Sequence, residues 1–103
     1  MTLRDDLIAA KALIDTEEKW GKGQYEDDRG CLCALGAIRK HHFGTAGDGV
    51  GFEWLGDATA VALKGALGTE WAWQVADFND HPDTTHADVM ALFNRAIAAA
   101  GEQ

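Results

Sequence analysis

The sequence predicts an all-α fold, a compact single domain of about five short helices, and three observations carry that expectation. Apolar residues recur three and four positions apart over most of the chain. No stretch keeps the apolar and polar alternation of a half-buried strand. Glycines, the one proline and capping threonines and aspartates fall between the periodic segments. At 103 residues the chain fits one domain, spanning 1–103, with enough length for a real core.

Thr2 opens the first helix as its cap, with Asp5 three residues later as a capping-box-like partner. Leu3, Leu7, Ala10 and Ile14 then share one face, and Gly21 is expected to stop the helix. Residues 21–30 lack periodicity and read as a loop carrying Glu26, Asp27 and Asp28. A second helix is expected over 31–42, with Cys31, Leu35, Ile38 and His42 in one stripe and Gly44 closing it. Residues 44–51 hold four glycines and read as a connection.

Residues 52–67 return to helical spacing, broken at Gly56, with Asp57 capping the part that bears Val61, Leu63 and Leu67. Thr69 caps a short helix carrying Trp71, Val75 and Phe78, and the turn Asn79-Asp80-His81-Pro82-Asp83 ends it. Thr84 or Thr85 begins the last helix, with Asp88 in its first turn. Val89, Met90, Leu92, Phe93, Ala96, Ile97 and Ala100 give that helix a broad apolar face before Gly101. The expected core is Leu7, Ile14, Leu35, Ile38, Leu63, Val75, Val89, Leu92, Phe93 and Ile97.

An apolar share of 47% excludes wholesale disorder. No apolar run approaches the ~20 residues that span a bilayer, and the first residues lack the basic and then apolar order of a signal peptide. A cytoplasmic location is therefore expected, and with it reduced cysteines. Cys31 and Cys33, one residue apart, point too far from each other on a helix to form a disulfide.

Charge is the strongest bulk signal: 9 Lys plus Arg stand against 17 Asp plus Glu, a net of -8. Such a chain is repelled by nucleic-acid phosphates and anionic lipid, and is drawn to basic surfaces. Acidity also serves solubility alone in many proteins. The sharper expectation is a protein partner with a basic face, met by Glu26, Asp27, Asp28, Asp77 and Asp83. Of four tryptophans, Trp20, Trp54 and Trp71 are expected in the core. Trp73, two residues from Trp71 on one helix, is expected partly exposed as an anchor for that partner.

The two cysteines admit three readings. A thiolate at a helix N-terminus could serve a hydrolase, with His81 or His86 as base and Asp80 or Asn79 orienting it. A metal could be held by one cysteine with His41, His42 or His81, although two cysteines about 200° apart on a helix cannot face one ion. The third reading is a small buried apolar residue. Asp80 has a matching alternative, as a carboxylate that binds turn amides and fixes the angle between two helices.

The amphipathic first helix, the segment Cys33-Ala34-Leu35-Gly36-Ala37, and the late Asn79-Asp80 with Thr84-Thr85-His86-Ala87-Asp88-Val89 and Arg95-Ala96-Ile97 form a recognisable combination. It resembles an uncharacterised family of small proteins from actinobacteria, other bacteria and their phages. The resemblance covers most of the chain, with Phe78 where family members often carry tryptophan. It implies no activity and no site residue. It does imply a phage or mobile-element origin, and hence an inhibitor of a host machine of the anti-CRISPR kind.

The expected function is a non-enzymatic, acidic protein-binding module that occupies a basic nucleic-acid-binding surface, without cofactor, metal, membrane or direct nucleic acid. The alternative is a cysteine-dependent hydrolase using Cys31 or Cys33 with His81 and Asp80.

Overall fold

Thr2 starts the first helix as its chemistry predicts, its Oγ1 accepting the Asp5 amide at 3.1 Å. The computed structural model describes residues 2–44, 57–68 and 74–101. Within them lie α1 (Leu3–Ala12), α2 (Ala34–Phe43), α3 (Ala58–Leu67), α4 (Gln74–Asp80) and α5 (His86–Gly101), with a short 3-10 turn at Glu17–Lys19. The described residues contain no strand, and the all-α expectation stands. Trp54, Trp71, Trp73, Thr69 and most of the glycine-rich connection lie outside the described residues.

Caps define the other boundaries. Asp57 Oδ1 accepts the Thr59 amide at 2.8 Å and opens α3. Thr85 and Asp88 cap α5 reciprocally: the Asp88 amide donates to Thr85 Oγ1 at 3.2 Å, and the Thr85 amide to Asp88 Oδ2 at 2.9 Å. Gly44 and Gly68 close α2 and α3 in the left-handed conformation, at φ +75° and +83°.

Two boundaries differ from expectation. Helix α1 ends at Ala12 rather than running to Gly21. Just past the C-cap Leu13, the Ile14 carbonyl accepts from His86 Nε2 on α5 at 2.7 Å, a tertiary contact that ties the chain leaving α1 to the last helix. Helix α2 begins at Ala34 rather than Cys31. Leu32 is extended instead, giving its amide to the Lys19 carbonyl at 2.8 Å and taking the Gly21 amide at 3.0 Å. Isolated bridges join it to Trp20 and Glu26.

Helix α5 packs against α1 and α3, while α2 packs against α1 and α4. Nine of the ten expected core residues are fully buried, and Ile97 is half-buried at the margin of the same cluster. Val61, on the expected apolar face of α3, is instead 40% exposed.

Candidate functional site

The structure gathers chemistry-bearing side chains at two places. The first is the junction where the 21–30 loop, the start of α2 and the end of α4 meet. Asn79 lies at its centre, fully buried. Its Oδ1 accepts from Trp20 Nε1 at 2.6 Å and from the Ala34 amide at 3.1 Å. Its Nδ2 donates to the Gly21 carbonyl and to Asp80 Oδ1, both at 3.0 Å. The donor and acceptor capacity of one amide is thus used to fix three segments.

Asp80 continues the junction by accepting the Gly23 amide at 2.9 Å, and Lys22 Nζ reaches the His81 carbonyl at 2.6 Å. Asp80 thus has the amide-binding use weighed from sequence, although the bound amide belongs to the 21–30 loop. Gly36 closes the packing: a Cβ there would overlap the Tyr25 carbonyl oxygen, so the first turn of α2 lies directly on the loop backbone. Arg39, 5% exposed, stacks its guanidinium 4.3 Å from the centre of the Tyr25 ring. Burial raises the Tyr25 pKa, and the Arg39 charge partly opposes that.

Both thiols are buried here and form no disulfide. Cys33 is the N-cap of α2, its Sγ accepting the Gly36 amide at 3.2 Å. Burial pushes its thiol up to about 11, with the Gly36 amide offsetting only part of the rise. A thiol so placed stays protonated at neutral pH and is a poor nucleophile. Cys31 donates from Sγ to the Glu18 carbonyl at 3.1 Å.

The expected bases are elsewhere engaged. His81 uses Nδ1 to accept the Asp83 amide at 3.1 Å, and His86 packs its ring 5.9 Å from that of Trp20 while holding the Ile14 carbonyl. Among the described residues neither thiol meets an imidazole, so Cys31, Cys33, His81 and Asp80 do not assemble as a nucleophile, base and orienting acid.

The acidic residues expected to meet a partner divide into two groups. Glu26 is half-buried and paired with Lys40 at 3.0 Å. Asp27 turns its Oδ1 onto the amides of Arg29 and Cys31, both at 2.9 Å. Those amides, Cys31 first and then Arg29, hold its carboxyl below the usual range. Asp28, Asp77 and Asp83 are exposed. Trp73 lies outside the described residues.

The second gathering is at the other end of α2. His41 Nε2 lies 2.9 Å from Asp6 Oδ1 on α1. His42 Nε2 lies 2.9 Å from Thr59 Oγ1 and 3.2 Å from Asp57 Oδ1 at the start of α3. The two imidazole centres are 4.8 Å apart. Potential ligand atoms of Asp6, His41 and His42 all lie within 4.8 Å of one another. The histidines figured in the sequence as partners for a cysteine, but the structure gives them carboxylates. Only the adjacency of two histidines at a helix C-terminus signalled the place; Asp6 and Asp57 join them through tertiary packing.

Together these features define a small helical bundle whose polar side chains mostly tie its segments to one another. The match to DUF6197, a family of unknown function, runs over residues 1–99, and the chain belongs to that family. No curated protein and no solved structure matches it.

Proposed function

We propose that the protein is a non-enzymatic, acidic binding module whose partner is a protein with a basic surface. The observation that carries this reading is the joining of the 21–30 loop to the α4–α5 turn through Gly23 with Asp80 and Lys22 with the His81 carbonyl. Asp28 on the loop and Asp77 and Asp83 beside the turn are exposed, on segments that these bonds tie together. A net of -8 adds long-range attraction to a basic partner. Where that partner is a complex that binds nucleic acid, the module competes with phosphates for the same face. Such competition suits an inhibitor of phage or mobile-element origin.

Affinity capture from the source cell, followed by binding measurements against salt, tests the reading. Association should weaken as salt rises, mainly through a slower on-rate, because the attraction is screened over about 8 Å at physiological ionic strength. Charge reversal at Asp28, Asp77 and Asp83 should weaken it more than reversal at Glu26 or Asp27, which are already engaged within the fold. Salt-independent binding that ignores all five carboxylates would leave the acidity to solubility alone.

A further inference from the structure

The geometry points to a divalent transition-metal site at the corner formed by Asp6, His41 and His42, suited to Zn²⁺. The site is independent of the acidic surface proposed above.

Three features support it. The donor set is two imidazoles and one carboxylate, which suits borderline ions of the zinc type better than Ca²⁺ or Mg²⁺. A tetrahedral zinc with bonds of about 2.0 to 2.2 Å separates its ligand atoms by roughly 3.4 Å. The three donors now lie within 4.8 Å of one another, so side-chain rotations would bring them onto one ion without backbone rearrangement. Finally, His42 Nε2 is already oriented by Asp57 and Thr59. Such a hydrogen-bonded carboxylate is the usual outer partner of a metal-bound histidine, and it leaves the opposite ring nitrogen for the ion.

Access is adequate. The side chains of His41, Asp6 and His42 are 15%, 18% and 22% exposed, so an ion can enter while most of the site stays shielded from water. Three protein ligands leave a fourth position for water or an exogenous donor. Bound there, the ion would tie α1 to the C-terminal turn of α2, with α3 held through Asp57. The corresponding alternative is a plain pair of histidine–carboxylate contacts that links helices and holds no metal.

The test uses the full chain after chelator treatment, titrated with Zn²⁺ and separately with Co²⁺. One ion per chain should bind with micromolar or tighter affinity, and the Tm should rise with zinc concentration. The Co²⁺ spectrum should show d–d bands without thiolate charge transfer. His41→Gln and His42→Gln should each lower affinity beyond the ~10- to 100-fold expected for Asp57→Asn, an outer partner. Cys31→Ser and Cys33→Ser should leave it unchanged.

If a histidine variant fails to fold, imidazole NMR of the unaltered protein decides the matter: zinc should shift His41 and His42 and spare His81 and His86. Absence of stoichiometric binding, binding that survives loss of both histidines, or a thiolate signature in the cobalt spectrum would overturn the site.

Discussion

Helix α2 begins at the Asn79 junction and ends at the histidine corner, about 15 Å away along ten residues, and the two places use polar groups in opposite ways. At the junction the central amide is fully buried and bonded on both its oxygen and nitrogen. At the corner the groups are partly exposed, and their partners are side chains, two carboxylates and the Thr59 hydroxyl, rather than backbone. A closed hydrogen-bond set fixes geometry and offers nothing to a ligand. Partly shielded imidazoles facing carboxylates hold helices together too, but the His41–Asp6 contact can be exchanged for an ion while His42 keeps Asp57. Asn-Asp and Cys look like chemistry in the sequence, yet they build the junction; the ordinary-looking His41-His42 pair stands at the place able to bind something.

The sharpest way to break this contrast is Asn79→Ala. It strands the Trp20 indole N–H, the Ala34 amide and the Gly21 carbonyl where water is scarce. A loss of about 3 to 5 kcal/mol is expected in denaturant unfolding. For a small domain that is a large share of total stability, and a loss below about 1 kcal/mol would show that the junction is not the structural centre described here.

Gly36→Ala should come next, at about 2 to 3 kcal/mol. The added methyl meets the rigid Tyr25 backbone carbonyl rather than a side chain that can turn away. Unfolding midpoints of Gly36→Ala and Gly65→Ala make the comparison internal, because a Cβ at Gly65 meets nothing within 4 Å and removes a helix-interior glycine. The first should lose stability and the second should gain a little.

The Cys33 thiol supplies a pH dependence. Its folded pKa, about 11, lies above its ordinary value of 9.0, so between those values the folded chain holds a proton that the unfolded chain releases. Stability is therefore complete below pH 9 and falls as pH rises toward and past 11, by about 2 to 3 kcal/mol for a shift of that size. Tyr25, also raised by burial, acts in the same direction. Denaturant titrations should show a shallower alkaline decline in Cys33→Ser; an unchanged slope would mean that the thiol ionises freely.

How far the sequence foretold these regions depends on the range of the forces involved. Caps at Thr2, Asp57 and Thr85, the glycine stop at Gly44, and nine core residues were legible because each follows from a local backbone need or from helical spacing. The end of α1 was not, since no glycine or proline stands there and the Ile14 carbonyl just past it meets His86 from 72 residues away. Nor was the start of α2, because extended pairing of Leu32 with the 19–21 segment removes residues that have ordinary helical spacing. The candidate sites suffered most. Asn79 and Trp20 meet across 59 positions, and Asp6 and His41 across 35, so their identities were visible while their company was not.

The smallest effect should come from Asp6→Asn in chelator-treated protein. The contact to His41 is short at 2.9 Å, but both side chains keep some access to water, and Asn can still hydrogen-bond the ring. Pairs near the surface contribute about 1 kcal/mol or less, so the unfolding midpoint should move little. That indifference separates the corner from the junction, where removal of one amide is expected to be several times more costly. Repeating the measurement with Zn²⁺ sharpens the contrast: the unaltered chain should gain stability while Asp6→Asn gains much less, because the carboxylate matters chiefly as a ligand. Equal zinc responses in the two proteins would remove Asp6 from the site, and a large metal-free loss would make the corner a second structural junction.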